Sequence, residues 1–215
     1  MNNTISVIIP CKNRLQHLLK CLPTVLSQTW QDIQVIVVDF NCPEIYKLDF
    51  QQEIYDERLN VLFVDVPVNH WNLSESRNAG LKLATGDRLL FLDADTILLP
   101  NFIEMEVKKL NENTFGSGLT SPPWNGCGCS FVLKSQFIKV RGYNEAMTGW
   151  GMEDMDFYHR MQLQGLNRFE FDPRLISNIP HDDSLRNQFH NGEDKYKTLE
   201  ENNQLHLKGV FKSSL

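Results

Sequence analysis

Hydrophobic and polar positions follow two rhythms along the first half of the chain. Residues 6–10 form a short β-branched run closed by a proline, the pattern of a strand buried on both faces. From Leu15 to Ser27 the spacing changes, and Leu15, Leu18, Leu19, Leu22 and Leu26 recur on one side of a helix. Pro23 falls inside that pattern and is expected to kink or split it. Ile33 to Phe40 reads as a second buried strand, ended by Asn41, Cys42 and Pro43. Residues 49–57 allow a short helix and Asn60 to Val66 a third strand. Leu73 to Ala84 is helical, with Gly86 expected to close it. Arg88 to Leu92 is a fourth strand that runs directly into Asp93, Ala94 and Asp95.

Strands alternating with helices imply right-handed crossovers and a mostly parallel α/β sheet flanked by helices. In such sheets ligands bind beyond the carboxyl ends of the strands. Lys12, Asn13, Arg14, Asp39, Asn41, Asp93 and Asp95 all follow strand ends, so topology alone gathers them.

The second half is less regular. Phe102 to Leu110 is helical in pattern, residues 116–128 read as a Gly/Pro/Ser-rich loop over the sheet face, and Phe131 to Leu133 resembles a strand. Residues 149–157 (Gly-Trp-Gly-Met-Glu-Asp-Met-Asp-Phe) open a helix running to about Gln164, before Gly165. Beyond His181 the chain turns polar and reads as a weakly packed helical tail that orders over the site.

Composition narrows the function classes. The 215 residues suit one domain, residues 1–215, with a regular first half (about 1–100), a less regular second half (about 101–184) and a polar tail (185–215). A formal net charge of −6 without a Lys/Arg cluster argues against nucleic acid. No apolar run reaches the roughly 20 residues of a membrane span. Polar residues lead straight into the first strand, so no secretory signal is expected. The five cysteines (Cys11, Cys21, Cys42, Cys127 and Cys129) are odd in number and sit in apolar or glycine-rich segments. They read as reduced thiols of a cytoplasmic protein, with Cys127 and Cys129 as small packing residues.

Asp93 and Asp95 place two hard oxygen donors at a strand end, a pattern suited to a divalent cation that also keeps water and phosphate ligands. A DxD pair alone is weak, and a polar strand end explains it equally. Its flanks add weight. An opening strand ends in Pro10 and leads to Asn13-Arg14, a helix carries Ser76-Arg77-Asn78-Ala79-Gly80, and Thr96-Ile97-Leu98-Leu99-Pro100 follows the acidic pair. In this order, over roughly Ile5 to Phe102, the chain resembles family 2 glycosyltransferases of the Rossmann-like GT-A fold. Gly149-Trp150-Gly151-Met152-Glu153-Asp154 resembles instead the Trp-Gly-Gly-Glu-Asp element of β-1,4-galactosyltransferase-like family 7 enzymes, whose opening the N-terminus also resembles.

That resemblance implies roles residue by residue. Asp154 would be the catalytic base, Glu153 would hold the acceptor and Trp150 would pack against the sugars. Asp95 and His181, assisted by Asp93, would bind Mn²⁺ (or Mg²⁺). Asp39 would accept the uracil imide N–H, Lys12 and Arg14 would face the ribose or diphosphate, and Trp71 would stack near the nucleotide. Pro10 and Gly128 would border the donor, and Trp124 and Asn125 the donor sugar. Other readings stay open at three places. Glu153 and Asp154 also suit a helix first turn for electrostatic reasons alone. His181 also reads as a surface or core histidine. Arg77 serves either the nucleotide face or a structural pair with a carboxylate such as Asp95. Where family 7 usually has methionine, this chain has Asn178, an amide that would alter metal preference.

Together these residues imply an inverting, metal-dependent transferase moving galactose or N-acetylgalactosamine from a UDP-sugar to a glycan or glycolipid acceptor. By analogy with the family it would serve surface polysaccharide synthesis, peripherally associated with an assembly complex. Two rivals remain: a non-catalytic protein that binds a nucleotide sugar or glycan, and a sugar nucleotidyltransferase. The second would want a glycine-rich phosphate loop after the first strand, and residues 10–14 supply no glycine.

Overall fold

The computed structural model describes residues 3–42, 54–67, 70–181 and 194–215. Its centre is a seven-stranded sheet of order β3-β2-β1-β4-β7-β6-β8. The strands are β1 (Ile5–Cys11), β2 (Ile33–Asp39), β3 (Leu59–Phe63), β4 (Arg88–Phe91), β6 (Thr114–Ser117), β7 (Ser130–Leu133) and β8 (Asn167–Glu170). β1 to β4 run parallel to one another, and β7 joins β4 and β6 antiparallel. A second small sheet pairs β5 (Thr96–Leu98) with β9 (Ile176–Asn178).

Alternation along β1 sends side chains into two cores. Ile5, Val7, Ile9 and Cys11 pack with the buried side of α1 (Leu15–Leu26) and with Phe102 and Ile103 of α3 (Phe102–Val107). Ile8 faces the other way, toward Ala79 of α2 (Leu73–Gly80), Phe137 of α4 (Lys134–Lys139) and Phe157 of α5 (Glu153–Leu163). This is the layered arrangement that a parallel sheet requires.

Pro10 sits inside β1 without cost to the ladder. The pairing of β1 with β4 ends at Ile8 opposite Phe91, so the side on which Pro10 would donate has no strand beside it. Pro23, expected to kink or split α1, does not split it: the helix is continuous across it. An internal proline costs about 3 kcal/mol. Burial of Leu15, Leu18, Cys21, Leu22 and Val25 outweighs this, at about 1.5–3 kcal/mol for each large apolar side chain.

Several boundaries differ from the sequence expectation. α2 ends at Gly80, and Gly86 is not its cap. A Cβ on Gly86 would lie 2.4 Å from the Thr4 carbonyl oxygen, so glycine is needed where the β4 segment closes against the start of β1. The glycine-rich segment is only partly a loop, because β6 takes residues up to Ser117. Residues 54–57 are not helical, and the rest of the expected 49–57 helix lies outside the described residues, as does Pro43. The tail carries a 13-residue helix, α6 (Lys195–Leu207), which is tied down rather than weakly packed, with Thr198 and Asn202 buried. All five cysteines are free thiols. Among the described residues no helix is long and apolar enough to cross a membrane.

Candidate active site

β1 lies between β2 and β4, and the chain leaves toward one neighbour first and the other later. This is a topological switch point, where a crevice opens beyond the strand ends. A cleft of about 950 Å³ opens there. The first half supplies Pro10, Lys12, Arg14, Trp71, Asp93 and Asp95 to its wall. The second half supplies Asn125, Gly128, Trp150, Glu153, Asp154 and His181. Asp39 and Arg77 stand behind the lining.

Lys12 is buried and donates to the Phe40 carbonyl at 2.9 Å, and burial lowers its ammonium below the ordinary range. Asp39 accepts the Cys42 N–H at 2.6 Å, which fixes the carboxylate at the end of β2. Trp71 meets Phe40 edge-on, with ring centroids 5.6 Å apart.

Asp93 and Asp95 leave β4 in different directions. Asp95 meets His181, with Nε2 2.8 Å from Oδ2. The β5–β9 pairing causes this meeting: Thr96 lies opposite Asn178, and the Ile179 N–H donates to the Asp95 carbonyl at 2.7 Å. Among the described residues no group of three or more His, Cys, Asp or Glu is gathered closely enough to enclose a metal. What the chain offers fits an open divalent site: a carboxylate and an imidazole in contact at the cleft wall, with other positions left to phosphate oxygens and water. Asn178 lines the same cleft, and its Oδ1 accepts the Gly126 N–H at 2.8 Å, which ties β9 to the 125–128 loop.

Asp93 turns instead to Arg77, which is fully buried. The expected partner was a carboxylate such as Asp95; the observed ones are Asp93, at 2.9 Å, and Glu153, at 3.6 Å from the other terminal nitrogen. Arg77 also donates to the Gly128 carbonyl at 3.0 Å and lies over the Tyr143 ring at 4.8 Å. It therefore ties the end of β4, the 125–128 loop and the start of α5 into one unit. Gly128 has φ +90°, and a Cβ there would come within 2.9 Å of Asp93 Oδ2.

α5 begins after Met152 at φ +74°, a left-handed residue that turns the chain sharply. The first turn carries Glu153, Asp154 and Asp156. Asp156 pairs with Arg160 and His206 away from the cleft, while Glu153 and Asp154 face into it. Asp154 accepts the Met155 N–H at 2.7 Å through Oδ1. Its Oδ2 lies 4.0 Å from the Cys127 thiol, which burial and the nearby carboxylates push up to about 12.

Burial, then Asp154, pushes the Glu153 carboxyl up to about 7, against the pull of Arg77. Burial likewise raises Asp93, with Arg77 opposing and Asp95 adding. A carboxyl raised on folding stabilises fully below its unfolded pKa, and that stability is lost as pH rises through the folded value. Glu153→Gln is therefore expected to melt with the wild type near about pH 4, and above it by several degrees at about pH 8. Parallel melting curves across that window would show that Glu153 does not titrate late.

Cys127, expected only as a small packing residue, and Tyr143 join the site, and the tail, expected to be helical and to order over the site, reaches the 148–151 loop through α6. Tyr143 carried no signal, since it lies in a short irregular stretch.

A sequence profile described as glycosyl transferase family 2 matches residues 6–171. Glycosyltransferase GlyG of Streptococcus pneumoniae is 31% identical over 116 residues, covering 52% of this chain and 36% of that protein. Bovine β-1,4-galactosyltransferase 1 is 26% identical over 176 residues, covering 76% of this chain and 37% of that protein. The chain thus spans little more than a third of the length of either. A Drosophila β-1,4-galactosyltransferase 7 mutant, solved with manganese, UDP-Gal and xylobiose, superposes with TM-score 0.61 at 17% identity, covering 85% of this chain and 73% of that one.

Proposed function

The chain belongs to glycosyl transferase family 2 and has the GT-A fold, and from that membership we propose an inverting, metal-dependent transfer of a hexose or N-acetylhexosamine from a UDP-sugar to a glycan or glycolipid acceptor. One observation carries this reading. The Asp93–Asp95 strand end, the Glu153–Asp154 helix start and His181 lie far apart in sequence and share the wall of one cleft. Such a cleft has separate places for a diphosphate and for an attacking hydroxyl.

The chain's own groups divide the work. Lys12 and Arg14 face the ribose and diphosphate, Trp71 gives the nucleotide an apolar wall, and Asp39 accepts the uracil imide N–H. Asp95 and His181 would hold Mn²⁺ (or Mg²⁺), with Asp93 close behind, and the ion would neutralise the leaving diphosphate. Asp154 takes the proton of the acceptor hydroxyl as its oxygen bonds to the anomeric carbon. The bond from that carbon to the diphosphate oxygen breaks on the opposite face, UDP leaves with the electron pair, and the centre inverts. The transition state is oxocarbenium-like, so carboxylates around it are favourable. Glu153 holds the acceptor and Trp150 packs on the sugar face.

Asn125 bears on the donor sugar. It lines the cleft and is held by its Nδ2, which donates to the Pro173 carbonyl at 2.8 Å. A bulky aromatic at this place would fill the space beside C2, whereas asparagine leaves room for an acetamido group. We therefore favour UDP-N-acetylgalactosamine over UDP-galactose. We place the reaction in a reducing compartment, the cytoplasm, a reading that the five free cysteines support.

Melting the protein with a panel of nucleotide sugars, each with Mn²⁺ and with chelator, tests this. Ligand at about 100 times its Kd adds about 2.7 kcal/mol. That raises the midpoint by roughly 5–10 °C for a chain of this size. The expected result is a metal-dependent shift, largest with UDP-N-acetylgalactosamine. A larger shift with UDP-galactose would overturn the donor choice, and no shift with any UDP compound would overturn the nucleotide site.

A further inference from the structure

The backbone from Thr148 to Gly151, which presents Trp150 and leads into α5, is held from outside by α6. Asn202 donates to the carbonyls of Thr148 (2.9 Å) and Gly151 (2.8 Å) and accepts the Thr148 N–H at 3.2 Å. The Thr198 hydroxyl accepts the Trp150 N–H at 3.1 Å and reaches the Trp150 carbonyl at 3.2 Å. Both residues are buried, at 2% and 3% exposure, on a helix whose other residues are half-buried or exposed.

The same helix accounts for the two glycines flanking Trp150. A Cβ on Gly149 would lie 2.5 Å from Thr198 Cγ2, and one on Gly151 would lie 2.7 Å from Leu199 Cδ1. Gly149 and Gly151 take their positive φ without strain, but Met152 beside them, at φ +74°, holds a conformation that persists only where its surroundings over-determine it. α6 supplies that determination. The Lys195 ammonium, 5.7 Å from the Trp150 ring centroid, adds a contact on the side chain itself.

We propose that Thr198 and Asn202 are positioning residues for sugar transfer: by clasping the 148–151 loop they set Trp150, and so the place of the acceptor hydroxyl against Asp154. This rests on the reading of the cleft as a glycosyl-transfer site. Each of these hydrogen bonds goes to the loop or within α6, whereas the diphosphate end of the cleft is built from β1, β4 and His181. Loosening the clasp should therefore spoil transfer to a sugar while leaving donor binding and donor hydrolysis intact.

Thr198→Val, Thr198→Ser and Asn202→Ala separate these effects. The first and third remove the clasp, and the second keeps the hydroxyl. Three quantities are read: UDP binding with Mn²⁺, hydrolysis of UDP-N-acetylgalactosamine to water, and transfer from it to N-acetylglucosamine as acceptor probe. Thr198→Val and Asn202→Ala are expected to lose about tenfold or more in transfer, with a raised KM for the acceptor. UDP affinity and donor hydrolysis stay at the wild-type level, and Thr198→Ser transfers as wild type. Hydrogen exchange over residues 148–156, with β1 and β2 amides as the internal standard, reads the clasp without any ligand. Exchange that stays at the wild-type level in both clasp variants overturns the clasp. Equal losses of hydrolysis and transfer, or wild-type transfer by a loosened loop, overturn the positioning role. A wild-type protein that turns over no donor overturns the functional reading and this role with it, while the exchange result still stands for the clasp alone.

Discussion

An Asp154→Asn protein is expected to fold, bind UDP with Mn²⁺ and transfer almost no sugar, with a loss of about 10²–10⁴-fold in kcat. Asparagine keeps the shape and the Oδ1 that accepts the Met155 N–H, so the first turn of α5 retains its local bond. It cannot take a proton from an attacking hydroxyl. Removing one charge from a cluster that already holds Asp93, Asp95 and Glu153 relieves repulsion, while the lost interaction with the helix N-terminus costs only about 0.3–1 kcal/mol. The melting point should therefore stay near that of the wild type. Glu153 is the rival base, and the same experiment on Glu153→Gln separates the two. Wild-type transfer by Asp154→Asn would remove Asp154 from the chemistry.

The second large effect falls on stability. Arg77→Met is expected to cost about 3 kcal/mol or more, because it strands two carboxylates that the guanidinium now neutralises. Both have a partial escape: Asp93 keeps 29% of its side chain open to the cleft, and Glu153 can protonate. The low end of the usual 3–5 kcal/mol range for a broken buried pair is therefore the better expectation. For a chain of this length that lowers the melting point by roughly 6–12 °C. Arg77→Met combined with Asp93→Asn should recover part of the loss. A single variant that melts within a degree or two of the wild type would show that the pair holds nothing together.

How much of this was legible in the sequence follows from the physics of each element. β1, β2 and β4 are buried and read as apolar runs, and the residues after them include Lys12 and Asp93, which line the cleft, while Asp39 at the end of β2 stands behind it. The start of α5 was legible because Gly-Trp-Gly before two acids is an unusual local pattern. β5, β6, β8 and β9 are three or four residues each, too short for any period to show. The partner of Arg77 could not be read either. Asp93 and Asp95 are equivalent in spacing, and only the β5–β9 pairing, which draws Asp95 to His181, leaves Asp93 to the arginine. The α6 clasp depends on contacts about fifty residues apart between polar side chains and a loop backbone. Hydrophobic patterning, which finds cores, does not report such contacts.

The cleft is proposed to transfer a sugar from a UDP donor with inversion. The direct measurement is the product itself: UDP-N-acetylgalactosamine and a panel of glycan acceptors, incubated with Mn²⁺ or with chelator, and the anomeric proton of any new linkage read by NMR. The expected result is a β-linked product from the α-linked donor, formed with stoichiometric UDP and abolished by chelator. A retained α-linkage, or no glycosidic product from any UDP-sugar with any divalent ion, would contradict it.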